Sequence, residues 1–501
     1  MVKPTYQSIE DIGEDQRNFY HNNNNVRRLL RLKPSMKKVV FLLLTLCLIV
    51  SYLLSFIPIF EVQEVINNNN INNNSNEGLV TAEHGAVASE LVNCSNIGVE
   101  VLKEGGSAVD AVISTQLCVG TINAFSAGIG GGGIMMIRLS NGNSEMIDSR
   151  ESAPSGARQN MYQKNETLAA IGGLAVGVPG EIRGMKLAHE RYGKLPWKRL
   201  FEPSIKLSRE GFHMFKPLME TDPVFSATYA PNGRILEEGE MMYRLNLSKS
   251  LEIIANNYTE FYEGSIAKSL IQAINSRGGI MTSKDFSNYR PIIREPLIGY
   301  YHGRKIITTP EPTSGPALLL MLNLLEEFNM SKTGFNSLNL QRRNISDYQT
   351  FEPEYYQPVF DYTADHGTTH MSAVDVSGMA VAFTSTINQI WGSQVMDPVT
   401  GIILNNEMDD FSIPGKPNTF GLWPSPYNFV APNKRPLSSM VPTIVERNGE
   451  FELALGGSGG ARILTAVLQV LLNVFDFDMN ILQAIDAPRA HHQLLPNIYN
   501  V

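Results

Sequence analysis

A Gly-Thr junction at residues 367–368 constrains this chain more than any other feature of its sequence. It lies in the hydroxyl-rich segment Asp365–Ser372, which leads through residues 384–388 to the paired acids of residues 405–411. Hydroxyl and β-branched residues predict two strands, residues 368–376 and 379–388, joined by a tight turn at Ser377-Gly378. A chain cut before Thr368 would therefore begin a β-hairpin with a threonine.

An N-terminal threonine carries both parts of a nucleophilic catalyst. Its hydroxyl attacks, and its own α-amine takes the proton. An α-amine titrates near roughly pH 8, whereas an internal amide does not titrate, so the cut itself would create the base. The alternative interpretation is structural, because threonine-rich strands occur in many β-sheets.

A long apolar segment near the N-terminus predicts a membrane anchor. Val39–Phe60 contains 22 residues without a charge, and as a helix it would span roughly 33 Å, close to the thickness of a bilayer core. A leader with a net charge of +4, residues 1–38, precedes it. Because basic flanks stay in the cytoplasm, we expect a single-pass type II signal anchor at the plasma membrane, with an extracellular catalytic domain. A cleaved signal peptide is the alternative, but the apolar run is too long for one.

Charge and glycosylation patterns agree with an extracellular body. The chain has a net charge of -8, so the part after the leader carries -12, which argues against a nucleic-acid partner. Candidate glycosylation sites of the Asn-x-Ser/Thr type all follow the apolar segment and precede Thr368: Asn73, Asn93, Asn165, Asn246, Asn257, Asn329 and Asn344.

The three cysteines divide between the membrane and the extracellular body. Cys47 lies inside the apolar segment, while Cys94 and Cys118 would face an oxidising compartment. A disulfide between Cys94 and Cys118 is plausible there. Two unpaired buried thiols are the alternative.

Low-complexity segments set the expected organisation of the chain. The asparagine runs at residues 22–25 and 67–74 are too polar to pack into a core. We expect a cytoplasmic leader (1–38), an anchor (39–60), an asparagine-rich stalk (61–79) and two parts of one catalytic domain (80–367 and 368–501).

Apolar periodicity predicts helices mainly before residue 367. Gly105-Gly106 separates the first two and is interpreted as a helix stop. The predicted helices are Ala88–Lys103, Ser107–Thr121, Met185–Tyr192, Pro203–Glu210, Ile266–Ser276 and Ile463–Val474.

Two other motifs do not predict a site. Gly128–Gly133 satisfies the dinucleotide pattern GxGxxG, but residues 134–139 predict a strand where that fingerprint needs a helix. We interpret it as a close-packed backbone turn. His366 and His370 have the spacing of a zinc pair, yet no glutamate follows His366 and the local pattern is a strand. No metal site is therefore indicated.

Taken together and in this order, several segments resemble the γ-glutamyltransferase family. They cover roughly residues 80–500 and are Val92–Arg138, with Gly105–Ala111 and Gly128–Gly132 inside it, Arg150–Pro154, Gly367-Thr368, Asn405–Phe411, Arg435–Thr443 and Gly456–Gly460. The resemblance implies an α+β fold of the N-terminal-nucleophile hydrolase type, a four-layered αββα sandwich that matures by self-cleavage between Gly367 and Thr368.

The resemblance also assigns roles to individual residues. Thr368 matches the nucleophile, and Thr386 the residue that hydrogen-bonds its hydroxyl. Gly367 lacks a Cβ and so suits the bent backbone that cleavage needs. The remaining matches are Arg150, Ser438 and Ser439 for the substrate α-carboxylate, Asn388, Glu407 and Asp410 for its ammonium, and Gly459 and Gly460 for the oxyanion.

The implied reaction is a two-step acyl transfer that requires no metal or organic cofactor. Thr368 would take the γ-glutamyl group from glutathione or a related conjugate, and water, an amino acid or a dipeptide would resolve the ester. The mature protein would consist of a large and a small subunit from one precursor.

Family members continue beyond the position at which this sequence ends. We therefore expect late strands of the sandwich to be absent from residues 368–501, with an incompletely predicted gene as the favoured explanation. Two other functions stay open from the residues. One is a catalytically silent surface glycoprotein that keeps the fold for binding, and the other is an amide hydrolase of related architecture with a different acyl group.

Overall fold

The computed structural model describes residues 79–213, 223–230, 234, 236, 239–328, 330–333, 367–418, 422–492 and 499–500. The chain divides into two compact units, Met1–Glu77 and Gly78–Val501. The first unit lies outside the described residues, and with it the predicted leader and anchor. Within the described part of the chain, no helix is both long enough and apolar enough to cross a bilayer.

The body combines helices and strands throughout. In chain order the helices are α1 (Val92–Lys103), α2 (Ala108–Ile122), α3 (Thr167–Ala170), α4 (Glu181–Tyr192), α5 (Trp197–Glu210), α6 (Pro223–Tyr229), α7 (Leu245–Asn256), α8 (Ser265–Ser276), α9 (Ser283–Asn288), α10 (Gly315–Glu326), α11 (Met330–Thr333), α12 (Arg462–Phe475) and α13 (Ile481–Asp486). The strands are β1 (Ala86–Ser89), β2 (Gly132–Arg138), β3 (Ser144–Asp148), β4 (Phe212–His213), β5 (Met241–Met242), β6 (Ile292–Arg294), β7 (Leu297–Tyr301), β8 (Arg304–Thr308), β9 (Thr369–Val374), β10 (Ala380–Thr386), β11 (Val395–Met396), β12 (Ile403–Leu404), β13 (Thr443–Arg447), β14 (Glu450–Leu455), β15 (His491–His492) and β16 (Tyr499–Asn500).

Two antiparallel sheets form the centre of the body. The first has the order β1-β9-β10-β2-β3-β6, and the second has the order β14-β13-β8-β7. The first sheet combines strands from both sides of the Gly367–Thr368 junction. The hairpin β9–β10 lies between β1 and β2, so the residues after Thr368 are at the centre of the sheet.

Alternation along β2 shows how the layers stack. Met135 and Ile137 belong to a core shared with the helices that cover the first sheet, whereas Ile134 and Met136 pack with Ile444 of the second sheet. Successive side chains of a strand point to opposite faces, so one strand supplies both cores. Helices α10 and α12 cover the outer face of the second sheet. The observed order of layers is helix, sheet, sheet, helix, which agrees with the α+β class expected from the sequence.

Helix α2 lies under the first sheet and is buried on almost every side. Its N-terminus has a capping box, in which Ser107 and Asp110 each accept a hydrogen bond from the other's backbone amide. Asp110 also accepts bonds from the backbone amides of Lys194 and Leu195. A capped helix that is buried on almost every side suits this central position.

The hairpin predicted after the Gly-Thr junction is confirmed. Asp375 accepts hydrogen bonds from the amide and hydroxyl of Ser377, and Gly378 has a φ of 79°. A glycine tolerates that left-handed conformation without strain. The turn fixes the register in which Ser385 faces Thr369.

One helix prediction is wrong at its start. Residues 88–89 belong to strand β1, which pairs with residues 371–374 of β9, and α1 begins only at Val92. Pairing with a strand almost 300 residues away overrides the local helical pattern of this segment. The stop is confirmed, because Gly105 follows the helix with a φ of 90°. The other predicted helices are present, with α4 and α5 starting four and six residues earlier than predicted.

The predicted disulfide is present between Cys94 on α1 and Cys118 on α2, with the two Cα atoms 5.4 Å apart. It closes a loop with a sequence separation of 24. The double variant Cys94→Ser/Cys118→Ser should lower the free energy of unfolding by about 3 kcal/mol, because the open loop gains entropy in the unfolded state. Guanidinium unfolding measures this loss. Addition of dithiothreitol should lower the wild-type midpoint to that of the variant, and equal midpoints without reductant would contradict the prediction.

The candidate glycosylation sites that the structure describes are accessible. Asn93, Asn165, Asn246 and Asn257 are exposed. Asn73, Asn329 and Asn344 lie outside the described residues. Glycosylation at these positions stays a prediction.

Candidate active site

Two threonine hydroxyls meet at the Gly367–Thr368 bond. The Oγ1 atoms of Thr368 and Thr386 are 3.1 Å apart, and both hydroxyls donate to the Gly367 carbonyl, at 2.7 Å and 2.5 Å respectively. The backbone amide of Asn388 donates to Thr386 Oγ1 at 2.8 Å. The Asn388 amide therefore holds the Thr386 hydroxyl in place while this hydroxyl polarises the Gly367 carbonyl.

Gly367 is required by space. A Cβ at this position would lie 2.9 Å from Ser126 Cα and 3.0 Å from the Gln389 carbonyl oxygen. The 2.9 Å contact is shorter than real Cβ atoms make and its partner is backbone, so no other residue fits without a backbone shift. The sequence predicted a glycine here for its bent backbone, but Gly367 is not among the glycines with a positive φ.

His370, two residues after Thr368, is a structural partner of the hairpin. Its Nδ1 lies 2.9 Å from Thr384 Oγ1, and its Nε2 lies 3.0 Å from Ser372 Oγ. Burial lowers the pKa of His370 to about 3, so the ring is neutral at physiological pH. Among the described residues, no three histidine, cysteine or acidic side chains are grouped so as to hold a metal ion.

Arg150 forms the charged side of the site together with two acids. Its guanidinium is buried, is ion-paired with Glu407 and Asp410, and donates to the Leu437 carbonyl at 2.8 Å. Burial lowers the pKa of Arg150, but the two acids outweigh it and raise the pKa overall. Arg150 therefore stays charged. The predicted turn that carries both acids is a 3₁₀-helix, Glu407–Asp410.

A third acid, Glu151, adjoins this group, and the sequence analysis assigned it no role. A Cβ on Gly177 would lie 2.9 Å from Glu151 Cβ and 3.4 Å from Glu407 Cβ, so the two glutamates flank this glycine. Burial raises the pKa of Glu151 to about 7 and that of Glu407 well above its usual range, although Arg150 opposes both shifts. The environment thus favours a shared proton over two adjacent carboxylates.

The opposite wall consists of hydroxyl groups and backbone. The amide of Ser438 donates to the Pro312 carbonyl at 2.8 Å, which anchors the Ser438-Ser439 segment to the loop before α10. Gly459 and Gly460, with φ values of 108° and 59°, form the turn that enters helix α12. Backbone amides at a helix N-terminus favour negative charge.

A single cleft collects most of the predicted residues. Leu422, Leu437, Met440 and Ile463 also line it. Leu437 and Met440 belong to the segment Arg435–Thr443 but had no predicted role, and no motif indicated Leu422 or Ile463. Of the predicted residues, Glu407 and Gly459 do not line the cleft, and Glu407 lies behind Arg150. The predicted residues that line it are Arg150, Thr368, Thr386, Asn388, Asp410, Ser438, Ser439 and Gly460.

This arrangement matches the chemistry of acyl transfer to a hydroxyl. One space is surrounded by the Thr368 and Thr386 hydroxyls, by Arg150 with its two acids, and by backbone amides at the start of helix α12. An amino acid derivative in this space would meet a complementary group at each end. Arg150 is ion-paired with both Glu407 and Asp410 in this structure.

Comparison with known proteins agrees with this geometry. A family model described as gamma-glutamyltranspeptidase matches residues 94–341 and 336–501. Glutathione hydrolase proenzyme 1 of Schizosaccharomyces pombe is 43% identical over 485 residues, which cover 85% of this chain and 77% of that protein. The glutathione hydrolase proenzyme of Escherichia coli is 35% identical over 478 residues, covering 83% of this chain and 82% of the relative.

Solved structures show the same fold. Cephalosporin acylase from Bacillus halodurans superposes with a TM-score of 0.70 at 24% identity, over 83% of this chain and 84% of that one. At this identity the likeness concerns the fold alone.

Proposed function

The chain is an enzyme of the gamma-glutamyltranspeptidase family, and from this premise we propose that it is a glutathione hydrolase and γ-glutamyltransferase with Thr368 as nucleophile. The observation that carries the proposal is the contact of Thr368 Oγ1 with Thr386 Oγ1 and with the Gly367 carbonyl, at 3.1 Å and 2.7 Å. The names of the relatives support the substrate class.

Self-cleavage would begin with Thr368 Oγ1 attacking the Gly367 carbonyl carbon. Thr386 stabilises the charge that develops on the carbonyl oxygen, to which its hydroxyl already donates. The carbon–nitrogen bond then breaks, and the nitrogen takes the hydroxyl proton to become a free amine. Water hydrolyses the resulting ester and leaves a carboxylate on Gly367. Residues 1–367 and 368–501 become two pieces.

In turnover the same hydroxyl would attack the γ-carbonyl of glutathione. The new α-amine of Thr368 accepts the proton and passes it to the departing amine of cysteinylglycine. Gly459 and Gly460 would stabilise the oxyanion with backbone amides, a contribution of about 3 kcal/mol for each donor in other hydrolases. Water, an amino acid or a dipeptide then takes the γ-glutamyl group from Thr368.

Recognition of the glutamyl end would use the charges of the cleft. Arg150, whose planar guanidinium suits two-pronged pairing, binds the α-carboxylate with help from Ser438 and Ser439. Asp410 and Asn388 line the cleft and bind the ammonium. Glu407, paired with the same guanidinium, completes the acidic side. Each substrate charge thereby replaces an internal partner.

The proposed cellular location rests on the sequence. The basic leader and the apolar segment 39–60 favour a plasma-membrane enzyme of single-pass type II with its active site outside the cell. Glycans on the exposed asparagines and the Cys94–Cys118 disulfide suit that compartment.

N-terminal sequencing and a substrate comparison test the proposal. The full chain, expressed in a eukaryotic secretory host, should give two fragments on a reducing gel, with the smaller starting at Thr368. The cut protein should release glutamate from glutathione. The matching glutaryl amide, which lacks the α-ammonium, should react at least about 100-fold more slowly, because it offers no positive charge to Asp410 and Asn388. An uncut chain without hydrolysis, or equal rates on both amides, would contradict the proposal.

A further inference from the structure

A buried polar cluster lies on the face of β10 opposite Thr386, and the proposed reaction does not use it. Gln116 Nε2 donates to Glu181 Oε1 at 2.6 Å and to Ser385 Oγ at 2.8 Å, while Ser385 and Glu181 Oε2 form a short hydrogen bond. All three side chains are fully buried. Each member contacts the other two, so the cluster is a closed triangle between α2, α4 and β10.

The triangle lies directly beneath the nucleophilic centre. Ser385 comes immediately before Thr386, and in the sheet it faces Thr369, the residue after Thr368. A displacement of Ser385 would therefore move the backbone of Thr386 and of Thr369, because Ser385 is bonded to the first and paired with the second in the sheet.

A second contact joins Glu181 to the same place through the main chain. The backbone amides of Gly180 and Glu181 donate to the Gly131 carbonyl, at 2.9 Å and 3.1 Å. Gly131 is packed against Thr386 so closely that a Cβ there would lie 2.0 Å from the Thr386 carbonyl oxygen. The start of α4 thus holds Thr386 from two directions, through Ser385 and through Gly131.

No cation balances the Glu181 carboxyl among the contacts of the described residues. The titratable groups that face it are Glu151, after β3, and the Tyr262 hydroxyl, while α2 and β10 present the uncharged Gln116 and Ser385. Arg183, on the same helix, directs its guanidinium to the Ser287 and Tyr289 carbonyls and to Glu263. Burial raises the pKa of Glu181 to about 8, a shift that Ser385 and Gln116 oppose and Glu151 enhances.

We propose that Glu181 is a positioning residue that, as a neutral acid, braces Ser385 and Gly131 and thereby sets Thr386 against Thr368, and that ionisation of its carboxyl loosens this brace. The catalytic part of this inference rests on the proposed function. The Ser385 hydroxyl donates to the Glu181 carboxyl in the structure, and because a hydroxyl also accepts, it can instead take the acid proton of the neutral carboxyl. Loss of that proton leaves a buried charge without a counterion beneath the catalytic strand.

Glutathione hydrolysis as a function of pH tests the catalytic role. Glu181→Gln keeps a carbonyl for Gln116 and an NH₂ donor for Ser385 but cannot ionise. In the wild type, kcat should fall on the alkaline side with a midpoint near about 8, and in Glu181→Gln this fall should move up by about one pH unit or more. KM should change less than about twofold, because Glu181 does not touch the cleft. Glu181→Leu, which breaks the triangle, should lower kcat at least about tenfold at pH 7.

Thermal unfolding gives a second measurement that needs no activity. The unfolded carboxyl has an ordinary pKa of 4.5, and the folded one a pKa of about 8, so the folded state binds more protons between these values. Wild-type stability should therefore fall as pH rises from 5 to 8 relative to Glu181→Gln. The Tm of the variant should gain about 2 °C or more over wild type across this range.

The control is Glu190→Gln, the same substitution on the same helix at a side chain that is 52% exposed and 3.5 Å from Lys186. It should leave both pH profiles unchanged. Matching unfolding curves for wild type and Glu181→Gln at every pH, or an unshifted alkaline fall in kcat, would overturn the brace. A wild type without hydrolysis would overturn the proposed function, and the unfolding curves would still decide whether Glu181 is held neutral.

Discussion

Replacement of Thr368 by alanine should leave a single uncut chain of 501 residues that does not hydrolyse glutathione. The variant lacks the hydroxyl that attacks the Gly367 carbonyl, so neither the cut nor the α-amine is produced. The expected loss in kcat is at least roughly 10⁴-fold, the scale of removing a nucleophile in other hydrolases. Reducing gels, intact-mass measurement and a glutamate-release assay measure the two losses on one preparation.

Two controls separate loss of chemistry from loss of fold. Thr368→Ser keeps a hydroxyl at the same atom and should still be cut, with kcat within about tenfold of wild type. Thr368→Ala should keep a far-ultraviolet circular dichroism spectrum and a Tm close to wild type, because the lost methyl and hydroxyl border an open cleft. An alanine variant that is cut at the same bond, or that hydrolyses glutathione faster than a tenth of wild type, would refute Thr368 as nucleophile.

Replacement of Arg150 by glutamine should weaken both binding and stability. Arg150 is 3% exposed and ion-paired with Glu407 and Asp410, so its loss leaves two acids without a cation in a buried site. Breaking a buried ion pair costs about 3 kcal/mol or more. KM for glutathione should rise at least about 100-fold, because the α-carboxylate loses its partner. Initial rates on the cut fraction and guanidinium unfolding measure the two effects.

The pH dependence and a matched variant make the Arg150 prediction specific. Without the cation the acids bind protons more readily in the folded state, so the stability deficit of the variant should shrink as pH falls toward 5. Arg150→Lys keeps the charge but not the two-pronged geometry and should lie between wild type and Arg150→Gln. Arg294→Gln removes an arginine 2.8 Å from Asp148 in the same sheet, outside the cleft, and should leave KM unchanged. A normal KM in Arg150→Gln would contradict the assigned role.

Local patterns were sufficient to predict the hairpin and the acidic turn. Thr384 and Thr386 are spaced by two, and Glu407 and Asp410 by three, so backbone periodicity predicts one side of the element for each pair. Asn388, predicted as the end of the same strand, instead lies beyond β10 with a φ of 76°. The helix stop at Gly105 was equally local. The residue assignments of the cleft, in contrast, came from the family resemblance, and the structure then brought most of those residues together.

Long-range contacts were not predictable in this way. Residues 88–89 of strand β1 were predicted as helix, because their pairing partner, β9, is almost 300 residues later and leaves no local signal. Gln116, Glu181 and Ser385 have no common motif, and they meet only because α2 and α4 pack on the same face of the sheet. Leu422 and Ile463 likewise reach the cleft only through tertiary packing. Single-sequence patterns carry no term for such tertiary packing.

The interleaved strand order determines whether the chain must fold before or after the proposed cut between Gly367 and Thr368. Residues after the junction supply β9 and β10, which pair with β1 and β2 from the earlier residues, and β13 pairs with β8 across the same divide. Separation of residues 1–367 from residues 368–501 would break the pairings β1–β9, β2–β10 and β8–β13 and would expose both cores. A cut between Gly367 and Thr368 would thus give a heterodimer that stays assembled. Neither piece alone contains a complete sheet on which it could refold. The proposed cut therefore requires that the chain assembles first, and protein cut in this way should not recover after heat denaturation.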